Sequence, residues 1–183
     1  MAIKLKHKDT FSTYFITSTC AEWILLFEIT NSYDLVYNWI TVLNNEMAAV
    51  EMAYVSMPNH LHAVLHFIKE GFDLNNIISN SKRFMVYEII NRLEKSGDTA
   101  MIEKLSNLLT ESEKKKGQSH KVFKDSFEAK AIITQCFLLQ KINYIYNNPV
   151  SGKWMLGKGF IEYEHSSASF YEMQLLRHFM PLH

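Results

Sequence analysis

Two histidines separated by one residue are the clearest candidates for chemistry in this chain. They stand in the segment Met57-Pro58-Asn59-His60-Leu61-His62. On a β-strand the side chains of residues i and i+2 project from the same face, about 7 Å apart at their Cα atoms. His60 and His62 can therefore converge on one divalent cation, although the same spacing also occurs in pairs with a structural or surface role. His66 shares this face but lies farther along the strand.

A tyrosine and an asparagine four residues apart are the second candidate. They belong to the segment Tyr144-Ile145-Tyr146-Asn147-Asn148-Pro149, and residues at i and i+4 are neighbours on one face of a helix. Both lie roughly 100° from the centre of the apolar stripe of that helix, which predicts Tyr144 at the edge of a core. Two interpretations stay open from the residues alone. Tyr144 either packs there with a solvated hydroxyl while Asn148 helps to end the helix, or the two side chains act together in a site.

The elements that must position these residues follow the order strand, helix, strand, strand. Residues 14–20 are rich in β-branched and aromatic side chains and predict a strand. Apolar residues at helical spacing predict a helix from near Asp34 to about Asn45. Residues 48–57 and His60–Phe67 predict two strands joined by a turn at Pro58-Asn59. This order is typical of a mainly antiparallel α+β sheet.

The second half of the chain is predicted to be mostly helical. Helical patterns cover residues 72–95 and, more briefly, residues 101–109. Residues 111–120 are polar and predict a solvated, mobile loop. A last helix is predicted from about Phe127 to Asn148, where Pro149 ends it. A length of 183 residues favours one domain over residues 1–183.

Composition excludes several classes of protein. Hydrophobic residues make up 48%, with 6 Gly and 3 Pro, so collagen-like and disordered chains are excluded. Cys20 and Cys136 cannot build a disulfide framework, and their separation offers no zinc knuckle. Residues 1–8 carry cations without an apolar run behind them, and no segment approaches the ~18 apolar residues of a membrane helix. We therefore expect a cytoplasmic protein without a membrane partner.

The two motifs, taken together, resemble those of the IS200-like single-tyrosine transposases, especially the branch of REP-associated tyrosine transposases. The likeness covers most of the chain, with both motifs in the same order and at a similar separation. The matching blocks are residues 14–19, 53–62, 81–84, 141–150 and 165–168.

This resemblance implies a fold, a reaction and a set of site residues. The implied fold is ferredoxin-like, an antiparallel sheet of four to five strands with packed helices, in which the central strand His60–Phe67 presents the metal ligands. In that family the histidine–hydrophobic–histidine motif binds Mg²⁺ or Mn²⁺, and a helix tyrosine attacks a phosphodiester of single-stranded DNA. Tyr144 would then be the nucleophile, with His60, His62 and Asn148 as metal ligands. Attack would give a 5′-phosphotyrosine bond and a free 3′-OH, which strand transfer rejoins.

The resemblance also implies a DNA partner, although the overall composition of the chain is not basic. Lys+Arg 19 equals Asp+Glu 19, so single-stranded or hairpin DNA would need a locally basic face or would bind with modest affinity. Each candidate for that face is otherwise an ordinary solvated charge, and Trp154 and Tyr146 either stack on unpaired bases or simply pack. The candidates are Lys82, Arg83, Lys121, Lys124, Lys141 and Lys153.

Other functions stay open at this point. A catalytically silent relative could keep the fold and grip a DNA hairpin without cutting it, although retention of Tyr144 and both motif histidines argues against this. A metal-dependent hydrolase of a small phosphate ester would need the histidines but not Tyr144. IS200-type relatives work as dimers, whereas the repeat-associated branch includes monomers, so a homodimer is one of two expected assemblies.

Overall fold

The centre of the molecule is a four-stranded antiparallel sheet. The computed structural model describes residues 12–46 and 49–171. Strand β3 (His60–Phe67) lies between β2 (Ala49–Met57) and β1 (Thr13–Thr19), and β4 (Glu128–Ala131) pairs with the other side of β1. The predicted α+β sheet is therefore confirmed, with the histidine strand in a central position. The predicted β2 started one residue earlier, at Ala48, which lies outside the described residues.

One face of the sheet carries the larger apolar core. Helices α2 (Asp34–Glu46) and α3 (Leu74–Ser96) contribute their apolar sides to it. The Asp73 side chain caps α3 by accepting a hydrogen bond from the Asn76 backbone at 3.0 Å. The helix ends at Gly97, whose φ of 73° is a left-handed conformation that glycine adopts without strain. Both helices were predicted to within about two residues at each end.

The chain also forms three shorter helices, α1 (Leu26–Ile29), α4 (Thr99–Asn107) and α5 (Glu111–Lys115). Of these, α1 and α4 add buried residues to the larger core. Helix α5 lies inside the segment predicted as a loop, so the secondary structure of residues 111–120 was predicted incompletely. The reason is a capping box, in which Thr110 and Glu113 exchange side-chain and backbone hydrogen bonds. The exposure of this segment agrees with the prediction, and its mobility stays a prediction.

The opposite face of the sheet is covered more thinly. Helix α6 (Gln135–Asn147) crosses it and continues into a 3-10 turn at Asn148–Val150. Ile145 of α6 is fully buried against a smaller apolar cluster that includes Phe15, Val55 and Val64. This face has room for the polar side chains that are described below.

The prediction of one helix over residues 127–148 was wrong in its first part. Residues Glu128–Ala131 form β4, and α6 begins only after Thr134, whose side chain accepts from the Phe137 backbone. The sequence Glu-Ala-Lys-Ala has no strand propensity of its own. Pairing with β1, from Tyr14↔Ala131 to Thr17↔Glu128, makes it a strand.

A segment near the described C-terminal end lies along the outer edge of β2. Ser166 forms an antiparallel bridge with Val55. Ser56 donates its backbone N–H to His165 O at 2.8 Å, and Ser167 donates to Tyr54 O at 3.0 Å. The open edge of β2 is thereby partly paired with the chain itself.

The expectations about a membrane helix and about residues 1–8 can be compared only with the residues that the structure describes. Over residues 12–46 and 49–171, no helix combines the length and apolar character needed to cross a bilayer. Residues 1–8, on which the expectation of a chain without a leader rested, lie outside the described residues. So do both ends of the predicted domain.

Candidate active site

The two motif histidines lie side by side on β3, on the face that α6 covers. Each side chain is only 5% exposed. Their ring centroids are 4.7 Å apart with the planes at 76°. In register, His60 is opposite Thr19 and His62 is opposite Thr17 of β1. The predicted shared face is thus observed, with both imidazoles in one place.

The orientation of His60 is fixed by its neighbour Asn59. The Asn59 amide nitrogen donates to Trp23 O at 2.9 Å, which leaves the amide oxygen as an acceptor. His60 Nδ1 lies 2.6 Å from that oxygen and must therefore be the donor. The lone pair of the neutral ring is consequently on Nε2, the nitrogen available to a metal or a substrate.

His62 is held in a similar way from β1 and also meets the predicted nucleophile. Its Nδ1 lies 2.8 Å from Thr17 Oγ1. Its Nε2 lies 3.4 Å from the hydroxyl of Tyr144, a long hydrogen bond. Phe15 stacks on the imidazole at a centroid distance of 5.4 Å and fixes its plane.

Burial keeps both histidines in the neutral form that metal binding requires. Desolvation lowers the pKa of His60 to about 4, although Asn148 acts in the opposite direction. Desolvation, with smaller contributions from His60 and the Lys141 ammonium, lowers the pKa of His62 to about 3. At neutral pH neither ring is protonated, so each can offer a lone pair.

Tyr144 extends from α6 over this pair of imidazoles. Its ring contacts His62 edge-on at 5.1 Å and Phe15 at 6.0 Å between centroids. The side chain is 48% exposed. The predicted place at the edge of a core is confirmed, since the hydroxyl reaches His62 while about half of the side chain stays exposed.

Asn148 adds a side-chain amide oxygen to the site of the two histidines, and this oxygen lacks a hydrogen-bond donor. The Asn148 Oδ1 atom is buried and has no hydrogen bond of good geometry within the protein. Its interaction with His60 favours the protonated imidazole, so it lies close to that ring. A buried carbonyl oxygen left unpaired is costly unless something binds it.

These three residues fit a divalent cation as a donor set. The two imidazoles are ligands that Zn²⁺ and Ni²⁺ favour, whereas the amide oxygen and the further open positions, which water can fill, suit Mg²⁺ or Mn²⁺. Within residues 12–46 and 49–171, no three residues drawn from His, Cys, Asp and Glu are grouped to hold a metal. A cation at His60 and His62 would therefore depend on the amide oxygen of Asn148.

One open cleft of about 790 Å³ is lined by the two motif histidines together with Tyr144 and Asn148. The cleft is locally positive although the net charge of the chain is zero. Four lysines and one carboxylate, Glu128, stand on its walls. Lys141 lies beside Tyr144, with Nζ 5.5 Å from the centroid of the tyrosine ring. The lysines are Lys124, Lys130, Lys141 and Lys153.

The other predicted basic residues lie elsewhere. The Lys82 ammonium donates to Lys124 O at 2.8 Å, and burial lowers its pKa to about 8. Lys121 forms ion pairs with Glu113 at 2.7 Å and Asp125 at 3.2 Å. Arg83 is exposed on α3 beside the ring of Phe84. Their predicted contacts with DNA stay predictions, and Lys82 and Lys121 already have partners in the protein.

Sequence reasoning missed several residues of the cleft. Thr17 and Asn59 orient the histidines, and the strand alternation of β1 and the turn before His60 were available signals for them. Lys130 could have been found from the alternation in Glu128-Ala-Lys-Ala. Trp23 lines the cleft in a conformation that its local sequence does not indicate. His66 bonds Thr13 Oγ1 at 2.9 Å instead of reaching the cleft.

Comparison with known proteins adds information about the fold. No protein-family model and no curated protein sequence matches the chain. A solved structure of a REP-associated tyrosine transposase bound to a REP hairpin matches with a TM-score of 0.62 and 16% identity, over 96% of this chain and 86% of that one. A crystal structure of a candidate transposase from Deinococcus radiodurans has a TM-score of 0.36 and 11% identity, over 77% and 93%, too low to carry an argument. The chain therefore shares the fold of this REP-associated tyrosine transposase, and the fold expected from the sequence is confirmed.

Proposed function

We propose that this protein is a metal-dependent, single-tyrosine transposase-like enzyme that nicks single-stranded or hairpin DNA and rejoins strands. The observation that carries the proposal is the contact of 3.4 Å between the Tyr144 hydroxyl and His62 Nε2. It occurs in a basic cleft that also contains His60 and the unpaired oxygen of Asn148. A nucleophile, a donor set for a cation and positive charge for phosphates thus meet in one place.

His60, His62 and Asn148 are the proposed metal ligands. A bound Mg²⁺ or Mn²⁺ would supply Lewis-acid polarisation of the scissile phosphate. The protein holds the ligands ready, since Asn59 and Thr17 engage the Nδ1 atoms and leave each Nε2 directed to the cleft. Such partners fix the ring plane and the tautomer of a metal-binding histidine.

Tyr144 is the proposed nucleophile. Its phenolic oxygen would form a bond to phosphorus while the bond from phosphorus to the 3′ oxygen breaks, which leaves a 5′-phosphotyrosine and a free 3′-OH. The phenol loses one proton and the leaving oxygen gains one. The exposed side of Tyr144 lets DNA approach, and the nearby Lys141 ammonium favours the charge of the phosphate.

The proposed substrate is DNA because of the charge and shape of the cleft. A solved structure with this fold is that of a REP-associated tyrosine transposase bound to a REP hairpin. In this chain the walls of the open cleft carry four lysines and only one carboxylate. This excess of positive charge suits a polyanion that lies along the cleft. This arrangement supports the expected locally basic face on a chain with zero net charge.

The contact between Tyr144 and His62 lies within one chain, which supports catalysis in cis. We therefore expect that mixing Tyr144→Phe with His62→Gln protein does not restore activity. Restored activity in the mixture would instead indicate a dimer that exchanges its tyrosine helices.

The test is the formation of a covalent adduct. Labelled single-stranded DNA from the flanks of the gene is incubated with the protein and Mn²⁺ or EDTA, then separated on a denaturing gel. We expect a DNA–protein adduct that needs the cation and disappears in Tyr144→Phe. Tyr87→Phe, at an exposed tyrosine on α3, is the matched control and should keep the adduct.

Two other outcomes would contradict the proposal. DNA that is retarded on a native gel but never covalently linked would indicate a silent hairpin-binding module. Hydrolysis of a small phosphate ester that persists in Tyr144→Phe, without any adduct, would indicate a metal-dependent hydrolase.

A further inference from the structure

We propose that Trp23 and Trp154 form a pair of stacking sites for unpaired nucleobases next to the scissile phosphate. The proposal rests on the proposed function, because it assumes that nucleic acid enters the cleft. It adds which part of the nucleic acid is bound and which side chains bind it. We call these two residues the tryptophan pair.

Both indoles lie beside the same proposed metal ligand. The centroid of the Trp23 ring is 5.9 Å from that of His60, and the centroid of Trp154 is 6.1 Å away. Trp23 follows β1, whereas Trp154 follows the 3-10 turn at the end of α6. Two separate parts of the chain thus bring a large aromatic surface to one point of the cleft.

The backbone around Trp23 is held in an unusual conformation. Glu22 and Trp23 have φ of 49° and 57°, a region that residues with a side chain rarely adopt. The Trp23 carbonyl accepts from the Asn59 amide, the same amide whose oxygen orients His60. The indole remains 53% exposed in the cleft. Strained backbone of this kind persists where the surroundings enforce it, and it is concentrated at functional sites.

Each indole is accompanied by a lysine. Lys124 Nζ lies 4.3 Å from the Trp23 ring centroid, and Lys153 Nζ lies 5.1 Å from that of Trp154. A nucleotide has an aromatic base and an anionic phosphate, so it matches an aromatic face that has an ammonium beside it. The lysine chains are flexible enough to follow a phosphate while a base stacks on the ring.

Unpaired bases fit this arrangement better than duplex DNA. In a duplex the faces of each base are covered by its neighbours, and stacking on a side chain requires that a base leave the stack. Trp154 packs partly against the smaller apolar cluster, which fixes its ring. The tryptophan pair therefore selects strands whose bases are free at the point of cleavage.

The test separates binding of bases from binding of phosphates. The probe is a fluorescently labelled 12-nucleotide oligothymidine, compared with an abasic oligomer of equal length and charge. Affinities are measured by anisotropy in EDTA, in a Tyr144→Phe background that cannot form the adduct. The variants are Trp23→Leu and Trp154→Leu, with Trp23→Phe and Trp154→Phe as versions that retain a ring. Tyr87→Leu on α3 is the matched aromatic control.

We expect each Trp→Leu change to weaken oligothymidine binding by about 10- to 100-fold. Binding of the abasic oligomer should change by less than about twofold, and the Phe versions should recover part of the loss. Lys124→Gln and Lys153→Gln should weaken both oligomers alike and lower the salt slope by about 0.7 each. Tyr87→Leu should change neither affinity.

Several results would overturn the proposal. Equal losses for both oligomers in the Trp→Leu proteins would mean a structural role, and unchanged affinities would mean no role. Displacement of oligothymidine by a 12-residue polyglutamate at equal charge would indicate an acidic protein partner. The adduct assay on the otherwise unchanged protein keeps the two proposals apart. An adduct with unaffected base binding refutes only the tryptophan pair, whereas the absence of any adduct refutes the proposed function.

Discussion

The two faces of strand β3 differ in what they contribute to the molecule. Leu61, Ala63, Leu65 and Phe67 enter the larger core beneath α2 and α3. On the other face His60 and His62 enter the cleft, with Val64 as the apolar neighbour beneath α6. One strand thus stabilises the fold through one set of alternate residues and carries chemistry on the other.

This separation shows where the molecule tolerates unfavourable interactions. Burying a histidine without charge compensation costs free energy at low pH, and an unpaired amide oxygen costs free energy as well. Both occur on the thinly covered face, although the opposite side of the sheet also buries two unpaired hydroxyls, those of Ser18 and Ser56. Substitutions on the two faces should therefore affect different properties, activity on one and stability on the other.

The largest expected effect is the loss of adduct formation in His62→Gln. The change removes a proposed metal ligand while it keeps a polar side chain on β3. We expect the single-turnover rate to fall by at least about a thousandfold, equivalent to ~4 kcal/mol. His66→Gln, on the same face but bonded to Thr13, should retain the rate. Similar rates in the two variants would refute the assignment of the ligand.

The reverse effect is expected from Leu65→Ala on the core face. Leu65 is fully buried, and its truncation should lower the free energy of unfolding by about 3 kcal/mol. Chemical denaturation measures this loss. The adduct rate of the folded fraction should stay within about twofold. A large loss of rate at full occupancy of the folded state would show that the two faces are coupled.

The pH dependence of stability should report on the cleft histidines. Their pKa values, about 4 and about 3, lie below the ordinary value of 6.5, so the unfolded chain takes up protons first as the pH falls. Each histidine should leave stability unchanged above about pH 7 and lower it by about 2 kcal/mol at pH 5. Urea denaturation at about pH 7 and at pH 5 should show a smaller decrease in the free energy of unfolding for His62→Gln than for the unchanged protein. Equal decreases in the two proteins would contradict the neutral buried imidazole.

A smaller effect is expected from Asn59→Ala, which removes the hydrogen-bond acceptor of His60 Nδ1. Loss of such a partner should weaken Mn²⁺ binding by about tenfold. Titration calorimetry with Mn²⁺ measures the change. Because a general structural defect would not respond to the metal concentration, recovery of the adduct rate at high Mn²⁺ should distinguish positioning of His60 from loss of the fold.

The sequence predicted the parts of the fold that have a local signal. Strand β3 was predicted with its observed bounds because alternation and a preceding turn define it. The capping box of Thr110 and Glu113 was a readable signal for α5 that the polar composition concealed. Strand β4 had no local signal, since its four residues become a strand only by pairing with β1.

The candidate site was predicted to a similar extent. The types and spacing of His60, His62, Tyr144 and Asn148 marked them as candidates, and the resemblance of the two motifs to those of IS200-like transposases selected them. The sequence could not show that Asn148 Oδ1 is left without a partner, because burial of that atom depends on the packing of α6. The placement of Trp23 depends on a left-handed backbone that the surrounding chain imposes. Which lysines share the cleft follows from the three-dimensional fold.

The covered edge of β2 limits how copies of this chain can associate. A free strand edge is a template for another strand, and a neighbouring copy could extend the sheet there. At Tyr54, Val55 and Ser56 that template is already occupied by residues 165–167, and a register shift between Glu51 and Ala53 interrupts the rest. An assembly built by continuous sheet extension through β2 would first have to displace the chain's own segment. The paired part of the β2 edge is thus protected against open-ended, strand-by-strand association of copies, and only a few ordered residues are needed for this protection.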